Sequence, residues 1–365
     1  MKKLLRGNKA CSPASHLWLR KDNGTMTKGS TQIGQGQYGK VFRGCVDDEC
    51  KKYVVYKEIE TYKLNTSHNN VPLAKLKNLF NVNPKMEFTI AKKLEGFGVP
   101  KMYLYKSCDG KDILYSEYIQ GKELSEFLFM KPTFEATKSV MVQVIYNLYR
   151  IHKKYPGFRH HDLHLGNVLV RPVPKKDIQI KIKGKTYTIS NGGVEAVIID
   201  FGFSAFPRIK NPLINSGNFR KLGISRNSNK FYDLHFFLSS VYQMVRRERN
   251  MTERKVKIFI TTLLKNEYVN KNSEFVKDFR LRGNRGQNHY KVLPDFETVL
   301  SSSFFTGEKP KVLPIPTPSA TKKVVIAPTK PKTPTNQKNA MARAIAVMKG
   351  GKAKPVKRPV IRKKI

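Results

Sequence analysis

The stretch Arg159–Val170, RHHDLHLGNVLV, sets three histidines, an aspartate and an asparagine within eight residues, from His160 to Asn167. A metal centre, a nucleophile with its base, and a loop that positions a phosphate all draw on such residues, and the flanking sequence has to choose among them. Before it, TFEATKSVMVQVIYNLYRIHKKY places Val140, Val144, Leu148 and Ile151 on one face of a helix. After it, VEAVIIDFGFS runs as an apolar strand into Asp200-Phe201-Gly202. Zinc or iron ligation by His160, His161 and His164 lacks a second Cys/His cluster of ligand spacing. Ser-His-Asp chemistry lacks a glycine-elbow serine. Both fall behind the phosphate reading.

Further out, IGQGQYGKV (Ile33–Val41) carries glycines at 34, 36 and 39. Without Cβ atoms a hairpin there can close over phosphates, and Val41 can cover a purine ring. A dinucleotide fingerprint would open a helix, but the next segment, KVFRGCV, reads as a strand. Sixteen residues after Val41, Lys57 stands in the strand-like VVYKEI. The helical NPKMEFTIAKKLEGFG follows, with Met86, Ile90 and Leu94 spaced by four and glycines 96 and 98 at its end. Glu87 on that helix is the expected partner of Lys57; Glu95, at the glycine-marked end, is the competitor. KMYLYKSCDGKDILYSEYI predicts two strands around an Asp109-Gly110 turn, and Asp47–Glu49 predicts another turn. Strands then give way to helices after Gly121, including KFYDLHFFLSSVYQMVRRE. This order predicts an α+β fold of two lobes with a cleft between them.

Five elements now stand in series: the glycine loop, Lys57, Glu87, Asp162 with Asn167 five residues on, and Asp200-Phe201-Gly202. In this the chain resembles the protein kinase superfamily over about residues 28–300. The resemblance implies a bilobal fold, with a β-rich N-lobe at 28–119, a mainly helical C-lobe at 120–305, an N-terminal extension at 1–27 and a basic tail at 306–365. It also implies ATP and Mg2+ as cofactors and an unidentified protein as substrate. Asp162 would accept or orient the acceptor proton, with His164 beside it. Lys57, paired with Glu87, would grip the α- and β-phosphates, and Asn167 and Asp200 would hold magnesium. The loop Ile33, Gly34, Gln35, Gly36, Gln37, Tyr38, Gly39, Lys40 and Val41 would cover the nucleotide, while backbone at Glu117 and Ile119 would bind adenine behind Ser116.

Departures from the family pattern are informative. His161 replaces the arginine that commonly contacts an activation-segment phosphate, which predicts activity without that phosphorylation. His164 replaces the lysine usual in Ser/Thr kinases, so the loop also resembles aminoglycoside phosphotransferases and haspin-like kinases. No Ala-Pro-Glu follows Asp200, and Asp233 resembles the family's buried aspartate that braces the catalytic loop. The economy of the C-lobe and the basic tail are similar to kinases of large DNA viruses. Two insertions, 61–83 and 174–196, carry no assigned role; the second alternates like a hairpin with a Gly184-Lys185 turn. A small-molecule phosphotransferase and a pseudokinase scaffold are the competing readings.

The formal net charge of +42, from 69 Lys+Arg against 27 Asp+Glu in 365 residues, predicts attraction to polyanions or acidic partners. Much of it lies in the tail: from Lys309 to Ile365 there are sixteen Lys/Arg, no Asp/Glu and nine of the chain's 20 prolines, too polar to form a core. Lacking interleaved aromatics, the tail is expected to contact nucleic-acid phosphates without reading sequence. Its Thr317 and Thr333 precede prolines, where phosphorylation would lower the charge. Cys11, Cys45, Cys50 and Cys108 form no CxxC pair, so the expectation is a reducing compartment without disulfides. With no long apolar run, the protein is expected to be soluble in the cytoplasm or nucleus, or carried in the virion if viral.

Overall fold

Alternating side chains and tight turns build the first half of the chain into one sheet. The computed structural model describes residues 7–36, 39–60, 83–215, 219, 222–226, 228–282 and 293–307. Seven antiparallel strands are β1 (Trp18–Arg20), β2 (Met26–Lys28), β3 (Thr31–Gln35), β4 (Gly39–Cys45), β5 (Tyr53–Glu60), β6 (Met102–Cys108) and β7 (Lys111–Glu117). They lie in the order β2-β1-β4-β5-β7-β6, with β3 also on β4. Register places Val41 opposite Lys57 and Lys57 opposite Leu114. Directly opposed residues project from the same face, so the valine and the lysine share one.

The two faces of β5 have different neighbours, as a period of two requires. Val54 and Tyr56 pack with Ile113, Tyr115, Ala10 and Leu17, beneath the N-terminal segment. Ile59 joins the main core with Leu114, Met86 and Ile90. Met86 and Ile90 belong to α1 (Pro84–Lys93), whose N-terminus is closed by the Asn83 side chain accepting from the Met86 amide at 2.9 Å. The segment ahead of residue 28, expected as an extension, supplies β1 and β2 to this sheet. Tyr115 anchors it by donating its hydroxyl to the Ala10 carbonyl at 2.8 Å.

All four cysteines are paired, Cys11 with Cys108 and Cys45 with Cys50, which corrects the expectation that none would be. The first pairing was hidden because 97 residues separate partners that folding brings to a Cα distance of 5.7 Å.

The second half is mainly helical: α2 (Leu124–Phe129), α3 (Phe134–Lys154), α4 (Tyr232–Val245) and α5 (Met251–Leu263). Thr133 caps α3 through its hydroxyl, and Val140, Val144, Leu148 and Ile151 are buried along its inner face. A small sheet, β12-β9-β8 (Val194–Ile198, Val168–Pro172, Lys122–Glu123), carries the loops of interest at its ends. The insertion after β9 is a hairpin, β10 (Asp177–Ile182) with β11 (Lys185–Ser190). Its turn falls one residue earlier than expected, on Lys183-Gly184, since Ile182 pairs with Lys185, and these two residues have the positive φ of a type I′ turn, 49° and 77°. Another hairpin, β13 (Val276–Lys277) with β14 (Arg280–Leu281), precedes the last short helices. No helix among the described residues is long and apolar enough to cross a membrane. Residues 61–82, most of the first insertion, and the tail beyond 307 lie outside the described residues.

Candidate active site

The loop between α3 and β9 is held from below by one buried carboxylate. Asp233, fully buried on α4, accepts the amides of His160 at 2.7 Å and His161 at 2.9 Å. Burial alone would raise this carboxyl; His152 beside it, with His161 and His160, keeps it well below the usual carboxylate range. His161 has φ 66°, a left-handed turn that histidine tolerates better than most residues. A reciprocal backbone pair between Arg159 and Ala205 ties the loop to the segment after Asp200.

The imidazoles of His160 and His161 are buried and held by the fold. His161 Nδ1 lies 2.9 Å from the Phe203 carbonyl, so it carries the proton, and Nε2 accepts from the Ser228 hydroxyl at 2.8 Å. His160 Nε2 lies 3.1 Å from the Ile199 carbonyl, and its ring packs on Phe201 at 5.1 Å. Among the described residues no group of three His, Cys, Asp or Glu could hold a metal ion.

Asp162 emerges at the top of the loop, with its carboxylate gripped from two sides. Asn167 Nδ2 donates to the Asp162 carbonyl at 2.8 Å and lies 3.4 Å from Oδ2. His164 accepts the Gly166 amide at Nδ1, which leaves the proton on Nε2, 3.7 Å from the same Oδ2. Oδ1 receives Arg280 Nη2 at 2.5 Å, and Arg280 Nη1 donates to the His161 carbonyl. Sequence reasoning missed Arg280, which stands 118 residues downstream of Asp162 in no recognisable motif.

Lys57 Nζ donates to Glu87 Oε1 at 2.9 Å and to Asp200 Oδ2 at 3.5 Å. Glu95 instead binds Lys92 and the Met102 amide. Burial would lower the Lys57 ammonium, but Asp200 and Glu87 raise it above its ordinary value. Burial would raise Asp200, but Lys57 and the Gly202 amide hold it low. Asp200 has φ 63°, its Phe201 neighbour is buried, and the Ile199 amide donates to the Asn167 carbonyl at 3.0 Å. Asp200 and Asn167 are thus coupled through backbone. A carboxylate and a side-chain amide oxygen, with phosphates and water completing the shell, suit the hard, octahedral Mg2+ ion.

The glycine loop is the β3–β4 hairpin, in which Gly34 pairs with Val41, Gln35 pairs with Lys40, and the Gly36 amide donates to the Gly39 carbonyl. Gln37 and Tyr38 lie outside the described residues. Gly39 has a reason unrelated to phosphate: a Cβ there would meet the Glu58 carbonyl oxygen on β5. Ile33, at the base of the hairpin, is exposed. At the far end of β7, the Glu117 amide is taken by the Lys101 carbonyl, its carboxylate binds Arg171 at 3.1 Å, and Ile119 is buried with its carbonyl accepting from Gly121.

Buried neutral imidazoles make stability depend on pH. Burial pushes His161 and His235 down to about 4 and also lowers His160 and His152. The unfolded chain protonates histidines near the ordinary value of about 6.5, whereas His161 and His235 in the native state resist until about pH 4. The contribution of His161 and His235 is therefore complete above 6.5 and is lost as the pH falls towards 4, by about 1.4 kcal/mol per unit for each of the two. Thermal midpoints measured between pH 7 and 5 should fall steeply; a flat profile would contradict neutral imidazoles at these positions.

Residues 28–215 match the model of the protein kinase domain family. A putative serine/threonine-protein kinase of Acanthamoeba polyphaga mimivirus is 28% identical over 156 residues, which is 39% of this chain and 33% of that protein. A probable kinase of Invertebrate iridescent virus 3 is 27% identical over 126 residues, 34% of this chain and 24% of that protein. The serine/threonine-protein kinase haspin of Bos taurus is 26% identical over 130 residues, 36% of this chain and 16% of that protein. The matches thus span a third or less of each relative's length.

Proposed function

We infer that this chain, which belongs to the protein kinase family, transfers the γ-phosphoryl group of ATP to serine or threonine hydroxyls of a protein. The observation that carries this reading is Lys57, held between Glu87 and Asp200, facing a loop that presents Asp162 and Asn167. In such a site Lys57 aligns the α- and β-phosphates, with Glu87 fixing its rotamer. Asp162 Oδ2 orients the acceptor hydroxyl and takes its proton as the bond to phosphorus forms. Asn167 and Asp200 would hold Mg2+, which neutralises charge on the transferring group. The hairpin at Ile33–Val41 covers the nucleotide, and backbone near Glu117 and Ile119 receives adenine. On this reading residues 28–119, with the strands that 1–27 adds to their sheet, serve the nucleotide, 120–305 serve the acceptor, and 306–365 is an appended segment.

His161, neutral and bonded to Phe203 and Ser228, offers no cation for an activation-segment phosphate. The test therefore uses phosphatase-treated protein, with radiolabelled Mg-ATP and casein, myelin basic protein and an aminoglycoside as acceptors. Label is expected on Ser or Thr of a protein, reduced about a hundredfold or more in Lys57→Met through lost phosphate alignment. A second reading, small-molecule phosphotransfer, is motivated by His164 beside Asp162 Oδ2. Label on the aminoglycoside alone would establish it. ATP bound without transfer would instead favour a scaffold whose basic tail meets nucleic acid or an acidic partner.

A further inference from the structure

We propose that Arg280 is a positioning residue of the transfer reaction, a guanidinium clamp that sets the Asp162 carboxylate so that Oδ2 faces the acceptor. The proposal rests on the phosphotransfer reading of this site. Arg280 arrives from beneath the loop, its guanidinium stacked on Phe236 at 4.0 Å and its side chain 15% exposed. Its two terminal nitrogens form a fork: Nη1 donates to the His161 carbonyl and Nη2 to Asp162 Oδ1 at 2.5 Å. Tyr232, 3.5 Å from Nη1, lines the same pocket. A planar fork suits two acceptors at fixed separation, where a lysine would supply one movable charge.

Together with Asp233 this fork encloses the His161 peptide. Asp233 takes the His161 N–H while Arg280 takes its C=O, so a residue at positive φ is bonded at both ends. The carboxylate that follows then has Oδ1 committed to Arg280 and Oδ2 turned towards Asn167 and His164. His164, proton on Nε2, stands 3.7 Å from Oδ2 and does not reach Oδ1 as Arg280 does. The loop itself therefore lacks a strong cationic donor to this carboxylate, and a distant hairpin provides one.

The hairpin is built at a local cost. The β13–β14 turn places Asp278 and Phe279 at φ 49° and 62°, left-handed values that a bulky aromatic rarely adopts. External bonds hold it there: the Phe279 amide donates to the Lys271 carbonyl at 3.1 Å and the Asp278 amide to Asn272 Oδ1 at 3.2 Å. Gly223 gives it room, since a Cβ at 223 would strike the Leu281 carbonyl. Strain, bracing and clearance all serve to bring one side chain to Asp162.

The test compares wild type, Arg280→Gln, Arg280→Lys, Arg280→Ala and Asp162→Asn as full-length proteins. Transfer from Mg-ATP and ATP binding by fluorescence are both measured. Arg280→Gln should lower kcat about a hundredfold, the scale of a misplacement near the reacting atoms, with KM for ATP within about twofold. Arg280→Lys should keep ATP binding and lose about tenfold in kcat, since charge without the fork is insufficient. Guanidinium chloride at millimolar concentration should restore part of the activity of Arg280→Ala and leave Asp162→Asn silent. A kcat within about threefold of wild type in Arg280→Gln, or in Arg280→Lys should the first not bind ATP, overturns the proposal. So does loss of ATP binding in both, which would make Arg280 a structural brace. An inactive wild type or an active Asp162→Asn overturns the phosphotransfer reading itself; an active wild type, a silent Asp162→Asn and an unaffected Arg280→Gln overturn this proposal alone.

Discussion

Asp162→Asn is expected to lower kcat by about two to four orders of magnitude, the range a positioned general base supplies, while ATP still binds. The geometry says why the near-isosteric amide fails. Arg280 donates to Oδ1, so the amide oxygen of the asparagine takes that position and its NH2 replaces Oδ2. Asn167 Nδ2 and the protonated His164 Nε2 already face Oδ2. Three donors would then converge where the acceptor hydroxyl needs an acceptor. Single-turnover transfer with saturating labelled ATP reads the chemical step directly, and an equilibrium titration reads binding. Transfer at the wild-type rate would remove Asp162 from the chemistry.

Asp233→Ala is expected to cost about 3–5 kcal/mol, the range for breaking a buried charged network. Two buried amides, of His160 and His161, would lose their acceptor together, each a penalty of about 1–3 kcal/mol. Set against a total stability of about 5–15 kcal/mol, that approaches unfolding. Asp233→Asn should fall between: its oxygen serves one amide while its NH2 opposes the other. Urea denaturation gives the order, wild type above asparagine above alanine. Equal midpoints for wild type and alanine would show that the loop does not depend on this carboxylate.

What could be read in the sequence was what short-range spacing records. Glu87 on a helix of period four, Asp162 and Asn167 five apart, and Asp200 after an apolar strand are local patterns, and the fold joins Lys57 to Glu87 and Asp200, and Asn167 to Asp162. Asp233, 73 residues beyond His160, stood out only through the family pattern and its place in the first turn of an apolar helix. Arg280 had no such signal, because its meaning depends on a turn at Asp278-Phe279 whose residues argue against that turn. The pairing of Cys11 with Cys108 was invisible for the related reason that contact across 97 residues leaves no periodicity. Gly39 sits in a hairpin expected to close over phosphates, and crowding by the neighbouring strand independently excludes a side chain there.

The Cys11–Cys108 bond also has a topological meaning. It closes the chain from 11 to 108 into a covalent ring that contains β1 to β6, α1 and the whole of the first insertion. A single cut anywhere in that ring, the insertion included, leaves both pieces attached to one molecule, so the glycine hairpin, Lys57 and Glu87 stay tethered to Asp162 and Asp200. Only reduction followed by cleavage separates them. Long sequence can therefore be inserted between Lys57 and Glu87 without allowing a nick there to dissociate the halves of the site.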